Sequence, residues 1–186
     1  MIGLEFNQMD KHNISIRKGY IQIYSGSGKG KTTAALGLSL RTLLSGGTVF
    51  FAQFFKGIKT AEQDLTYWCD RFTIEQYGTG EFISGLPGPE EIRLAKQGIF
   101  HCKEVLKSGF FDLVVMDEVL LCIFYQIITP EEMISILRSR RSNVEVVLTG
   151  IKAPSELLKI SDLATDMKKV KHYFDCGVSA RRGIEY

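Results

Sequence analysis

The sequence contains nothing close to the ~18 consecutive apolar residues that a membrane-spanning helix needs. Residues 1–18 carry Glu5 and Asp10 and no apolar core, so a secretory leader is not expected. The four cysteines, Cys69, Cys102, Cys122 and Cys176, form no Cys-x-x-Cys pair. That argues against a zinc site and for reduced thiols in a cytoplasmic protein. His12, His101 and His172 are not spaced as metal ligands. An excess of one charge is also missing: 23 basic against 21 acidic residues leave a formal net charge of +2. No electrostatic footprint for nucleic acid results, and the one basic run, 138–141, reads as the solvated end of a helix. Asn/Thr-Lys-x-Asp is absent, which disfavours a guanine-specific switch. So are His-Arg-Asp and Asp-Phe-Gly, which excludes a protein kinase. There are no internal repeats and no dividing linker.

What remains is a chain of 186 residues, 45% hydrophobic and 24% charged, ordinary for a globular protein. A chain this long buries about 70% of its unfolded surface, enough for one core. Residues 1–18 are polar and aperiodic and read as a flexible arm; 19–186 read as a single α/β domain. Apolar strand patterns fall at 20–24, 48–54, 72–76, 113–116 and 144–148, with a last strand expected near 167–171. Helical patterns fall between them at 31–44, 61–72, 89–108, 130–138 and 155–160. Near-unbroken apolar strands alternating with helices predict a mostly parallel sheet of about six strands covered on both faces.

The chemistry concentrates after the first strand. Gly26-Ser27-Gly28-Lys29-Gly30-Lys31-Thr32-Thr33 joins that strand to the first helix. Strand, glycine-rich turn and Gly-Lys-Thr opening a helix is the context of a phosphate-binding loop. Its backbone N–H groups converge on phosphate, Lys31 reaches the polyphosphate, and the Thr32 hydroxyl ligates Mg²⁺. The spacing departs from the usual pattern. Only three residues separate Gly26 from Gly30, where four are normal. A second motif, 112–118, is an apolar strand ending in Asp117 and Glu118. Such a strand lies beside the phosphate loop and its acid holds the metal; spacing alone does not choose between the two carboxylates. Gln53, Lys56 and Thr149 stand at strand ends as further polar candidates, and Arg41, two turns into the first helix, faces either nucleotide or solvent.

At these residues the chain resembles the P-loop-type ATP:corrinoid adenosyltransferases. The matching blocks are 26–35, 52–57, 114–118, 147–150 and the tail from Val170-Lys171-His172 to Gly183-Ile184-Glu185-Tyr186. The resemblance implies a P-loop, RecA-like fold and transfer of the 5′-deoxyadenosyl group of ATP to the Co(I) of a corrinoid. It also implies triphosphate release, Mg²⁺ or Mn²⁺ as cofactor, a separate reductase and a homodimer. ATP lies reversed in such loops, and the shortened cradle offers a physical reason. By resemblance Gly26 to Thr33 bind the nucleotide, with Lys29 a secondary cation. Lys31 and Glu118 serve catalysis, and Thr32 with Asp117 or Glu118 holds the metal. The family's corrinoid loop carries two aromatics after Thr-Gly. Here it reads Thr79-Gly80-Glu81-Phe82-Ile83, with Phe82 shifted by one and Ile83 where the second aromatic stands. Phe82 is the corrinoid-contact candidate. The other readings are a P-loop ATPase or small-molecule kinase, and a non-enzymatic nucleotide-dependent interaction module.

Overall fold

The computed structural model describes residues 18–81 and 85–186. Six strands form one sheet: β1 (Ile21–Ser25), β2 (Val49–Phe54), β3 (Phe72–Tyr77), β4 (Leu113–Asp117), β5 (Glu145–Gly150) and β6 (Leu163–Asp166). Their order is β3-β2-β4-β5-β1-β6 and every pairing is parallel. The helices are α1 (Lys31–Leu44), α2 (Pro89–Ser108), α3 (Leu120–Phe124), α4 (Pro130–Arg138) and α5 (Ser155–Ile160), with 3-10 turns at Ala61–Tyr67 and Tyr173–Cys176.

Strand alternation sorts the apolar residues into two cores. Phe50, Ala52 and Phe54 of β2, Val114 and Met116 of β4, and Val146 and Leu148 of β5 point to the face covered by α2, α3, α4 and α5. Val49 and Phe51, Leu113 and Val115, and Val147 point to the opposite face, with Ala35 and Leu43 of α1. Phe50, Phe51 and Phe54 are buried almost completely, each contributing about 1.5–3 kcal/mol of burial. Because both faces are covered, β2 and β4 are buried at every position, which is why they read as unbroken apolar runs.

Helix boundaries follow local chemistry. Pro89 with Glu90 and Glu91 opens α2, and Gly109 at φ 68° closes it. At α4, Thr129 and Glu132 form a reciprocal capping box ahead of Pro130.

Three expectations change. The last strand is Leu163–Asp166, not 167–171: β1 offers partners only through Ser25, which pairs with Asp166, and the chain then turns at Gly26. Leu163–Asp166 is an exposed edge strand, so it carries no apolar signature. The helix expected over 61–72 is a 3-10 segment ending at Tyr67. The one-turn helix α3, just after the acidic strand end, has no counterpart among the expected elements. Apart from Lys18, the N-terminal arm lies outside the described residues, as does Phe82.

Candidate active site

The loop from Gly26 to Gly30 joins β1 to α1. Gly26 and Gly30 have φ of 117° and 119°, values that side chains rarely tolerate. Gly28 donates its N–H to the Met167 carbonyl at 2.6 Å, and a Cβ there would come within 2.7 Å of that oxygen. The loop is therefore pressed against the strand-end backbone after β6, and glycine is required. Lys31 Nζ folds over it, donating to the carbonyls of Gly26 at 2.9 Å and Gly28 at 2.8 Å.

The N-terminus of α1 differs from those of α2 and α4. It has no side-chain cap and no acid in its first turn, whereas α2 and α4 each carry two acids there. Acids and caps normally satisfy the positive end of a helix. Here that end opens into a cleft of about 570 Å³ lined by Ser27 to Thr33, Leu36, Lys56 and Glu118, among others. Such a volume suits a small-molecule ligand. Lys29, Lys31 and Lys56 line the cleft together with Glu62, Glu118 and Glu185, and an uncapped helix start of this kind is an anion-binding arrangement.

Alternation also explains the polar centre. On the α1 face, β2 runs Val49, Phe51, Gln53, β4 runs Leu113, Val115, Asp117, and β5 continues from Val147 to Thr149. Gln53, Asp117 and Thr149 are each fully buried, at the carboxyl ends of adjacent strands. Asp117 accepts from Thr32 Oγ1 at 2.9 Å, from Thr149 Oγ1 at 2.7 Å and from Lys56 Nζ at 2.9 Å. Its carboxylate is saturated by two hydroxyls and one ammonium, which is how a buried charge is tolerated.

Glu118 differs from its neighbour. Its φ of 61° is left-handed, which turns its side chain out of the strand alternation, and its N–H donates to Thr149 Oγ1 at 2.8 Å. The carboxyl lines the cleft. Burial first, then the neighbouring Asp117 charge, raises its pKa above the ordinary glutamate value, against the opposing pull of Lys31 and Lys56. Among the described residues this carboxylate forms no ion pair, so the two lysines offset its burial only at a distance. Among the described residues no cluster of three His, Cys, Asp or Glu side chains could enclose a metal. Mg²⁺ does not need one, since it uses one or two carboxylates with substrate phosphates and water. The donor set of Thr32 and Glu118 fits that requirement.

The structure thus gathers Ser27 to Thr33 and Glu118 around one cleft, with Gly26 and Asp117 directly behind. Arg41 is not among the lining residues. It sits in the last turn of α1, about 15 Å along the axis from Lys31 at 1.5 Å per residue. Two groups join the site that were not named as site residues from the sequence. Glu62 lines the cleft and accepts from Gln53 Nε2 at 2.7 Å, and Gln53 Oε1 accepts from Gln76 Nε2 at 3.0 Å. The tail residues His172, Gly183, Ile184, Glu185 and Tyr186 form another wall. An amide closing an apolar strand was the available signal for the first; the second depends on long-range contacts.

Residues 17–186 match the family model described as ATP:corrinoid adenosyltransferase BtuR/CobO/CobP. The chain is 33% identical over 178 residues to the corrinoid adenosyltransferase CobA of Salmonella typhimurium, covering 91% of this chain and 86% of that protein. It is 32% identical over 178 residues to the corrinoid adenosyltransferase of Escherichia coli K12, with the same coverage. To that of a Sinorhizobium species it is 30% identical over 173 residues, covering 91% of this chain and 81% of the relative. With matches of that extent, joined to a shortened phosphate loop facing a carboxylate pair, the chain belongs to the ATP:corrinoid adenosyltransferase family.

Proposed function

We propose that the chain transfers the 5′-deoxyadenosyl group of ATP to the reduced cobalt of a corrinoid and releases inorganic triphosphate. The observation that carries this reading is the uncapped, acid-free N-terminus of α1 behind the glycine loop, opening beside Lys31, Lys56 and Glu118. Co(I) attacks C5′ of the ribose, the C5′–O bond breaks, and the electron pair leaves with the triphosphate. Cobalt(I) is already a strong nucleophile, so the protein need not supply a general base. It must hold C5′ in line with the cobalt and stabilise charge on the departing oxygen.

Lys31 leaves the loop carbonyls for the triphosphate oxygens, while the loop N–H groups other than those of Gly26 and Gly28, which already pair with backbone carbonyls, bind the rest of the chain of phosphates. Lys29 is a second cation at the loop's outer edge. Thr32 and Glu118 hold Mg²⁺, with Asp117 fixing the Thr32 hydroxyl from behind. When bound, the ion neutralises part of the triphosphate charge. Phe82, beyond the described residues, is proposed to contact the corrinoid. The protein works in the cytoplasm as a homodimer and receives electrons from a separate reductase.

Anaerobic incubation with ATP, Mg²⁺ and chemically reduced corrinoid tests the assignment. The Co–C bond should appear in the visible spectrum, and phosphorus NMR should show triphosphate. Orthophosphate or a phosphorylated acceptor, with no Co–C bond, would instead support an ATPase or kinase of this fold.

A further inference from the structure

The segment after β6 contributes nothing to the cores: no residue from 167 to 186 is buried. Apolar packing therefore does not fix its path. Even so, Gly183, Ile184, Glu185 and Tyr186 lie along the cleft beside the phosphate loop. Polar contacts do the ordering. Glu185 accepts from Lys29 Nζ at 2.5 Å, from the Arg181 backbone N–H at 2.7 Å and from the Arg181 guanidinium at 3.3 Å. It also accepts from the Tyr173 hydroxyl. Lys29 Nζ in turn reaches that hydroxyl at 2.6 Å. Arg181 stacks over the Tyr173 ring, 4.8 Å from its centroid. The Glu185 side chain is 18% exposed, against 36% for Lys29 and 51% for Arg181. It is the inner junction of the network, joining a cation of the phosphate loop to a cation of the tail.

We propose that Glu185 is a positioning residue for ATP: through Lys29 it docks the C-terminal segment onto the phosphate loop, and the docked segment is one wall of the ATP cleft. The inference rests on reading that loop as the triphosphate site. Exposed ion pairs are individually weak, about 0–1 kcal/mol, and no buried apolar residue reinforces them here. Docking is therefore marginal without nucleotide. ATP seated in the cleft contacts the docked wall and not the undocked tail. It must then stabilise docking by the same factor by which docking raises its affinity. Lys29 stays with Glu185 while Lys31 turns to the phosphates, so ligand entry leaves the docking contact in place.

Arg181 and Arg182 are exposed in the tail and serve as trypsin reporters. In the wild-type protein, ATP or inorganic triphosphate should slow cleavage there about tenfold. Glu185→Gln and a chain ending at Arg182 should raise KM for ATP about tenfold, leaving kcat at saturating ATP and KM for the corrinoid within twofold. Nucleotide protection should be lost in Glu185→Gln, and Glu185→Asp should recover most of the affinity. Unfolding midpoints should stay within 2 °C, since no core residue is touched. Unchanged KM for ATP in both the Gln variant and the truncation overturns the inference, as does wild-type cleavage indifferent to nucleotide. Lys31→Ala run in the same assay separates the two levels. If it too keeps a normal KM for ATP, and its kcat is normal as well, the loop is not the site and both readings fall; if only the Glu185 variants behave as wild type, this inference falls alone.

Discussion

Neutralising the two adjacent carboxylates should move the stability of the metal-free protein in opposite directions. Asp117 is fully buried and paired to Lys56 at 2.9 Å, with Thr32 and Thr149 completing its shell. In Asp117→Asn the remaining oxygen can serve Thr149, but the amide N–H₂ then faces the Lys56 ammonium. Breaking a buried ion pair by removing one partner costs about 3–5 kcal/mol. Lys56 is 29% exposed, so water recovers part of the loss and the lower end, about 3 kcal/mol, applies. At ~2–4 °C per kcal/mol for a chain of this size, the unfolding midpoint should fall by about 6–12 °C. Glu118 carries its charge without a paired cation, and its pKa is raised by burial and by Asp117. Its anion therefore opposes folding at neutral pH, and Glu118→Gln should raise the midpoint. Both variants should lose adenosyl transfer. The assay is thermal unfolding without nucleotide or divalent cation, extended to Lys56→Met and the Asp117→Asn/Lys56→Met double variant. The pair should show a coupling of about 2 kcal/mol. A shift of the same sign in the two carboxylate variants, or additive Lys56 and Asp117 effects, would refute the division of labour.

Lys31→Ala should reduce kcat at least ~100-fold, the scale of losing one preorganised charge contact in a transition state, while unfolding curves stay close to wild type. Retained turnover would remove Lys31 from the mechanism. Thr32→Val should raise the Mg²⁺ concentration for half-maximal rate by about tenfold or more, roughly the 1.4 kcal/mol of one lost ligand contact, and Thr32→Ser should restore it. The proposed metal site of Thr32 and Glu118 uses the Glu118 anion. As pH falls, Mg²⁺ binding should therefore weaken at a pH above the ordinary glutamate range, because the folded pKa is raised. A metal titration at several pH values should show this dependence in the wild type and not in Glu118→Gln. The stability linkage has the matching sign. The folded protein's preference for protonated Glu118 helps stability at low pH and is lost as pH rises through the raised pKa.

The centre of the fold was legible because local and tertiary signals agree there. β1, the loop and α1 are marked by an apolar run, a glycine-rich turn and a helical pattern stopped by Ser45-Gly46-Gly47; Pro130 with two acids marks α4 within a residue. β6 was misplaced because an exposed edge strand has no apolar face to display. The two carboxylates could not be told apart from spacing. Their difference lies in the left-handed turn at Glu118, which leaves Asp117 in the strand's alternation and takes its neighbour out of it. Arg41 was assessed by helical proximity in sequence, yet α1 carries it away from the loop. Glu62 and the tail enter the cleft through contacts with Gln53 and Lys29 that no local pattern encodes.

Strand order explains why the loop and the acid meet at all. β1 lies between β5 and β6, but the next strand in sequence, β2, lies beyond β5 and β4. The connection must cross both, and α1 does so, packing on β5, β4 and β2. A helix that leaves β1 and crosses two strands starts with its N-terminus over the carboxyl ends of the strands it will cover, where ligands bind in open parallel sheets. That start sets Thr32 over Asp117 of β4, with Thr149 of the intervening β5 between β4 and β1. Had α1 returned to a strand adjacent to β1, its first turn would lie over a single inter-strand groove and the β4 carboxylates would fall outside its reach. The skipped positions in the sheet are thus what convert a glycine turn into a phosphate site backed by acids. Lys56 follows the carboxyl end of β2, the strand paired with β4, and from there its ammonium reaches the acid that the hydroxyls orient.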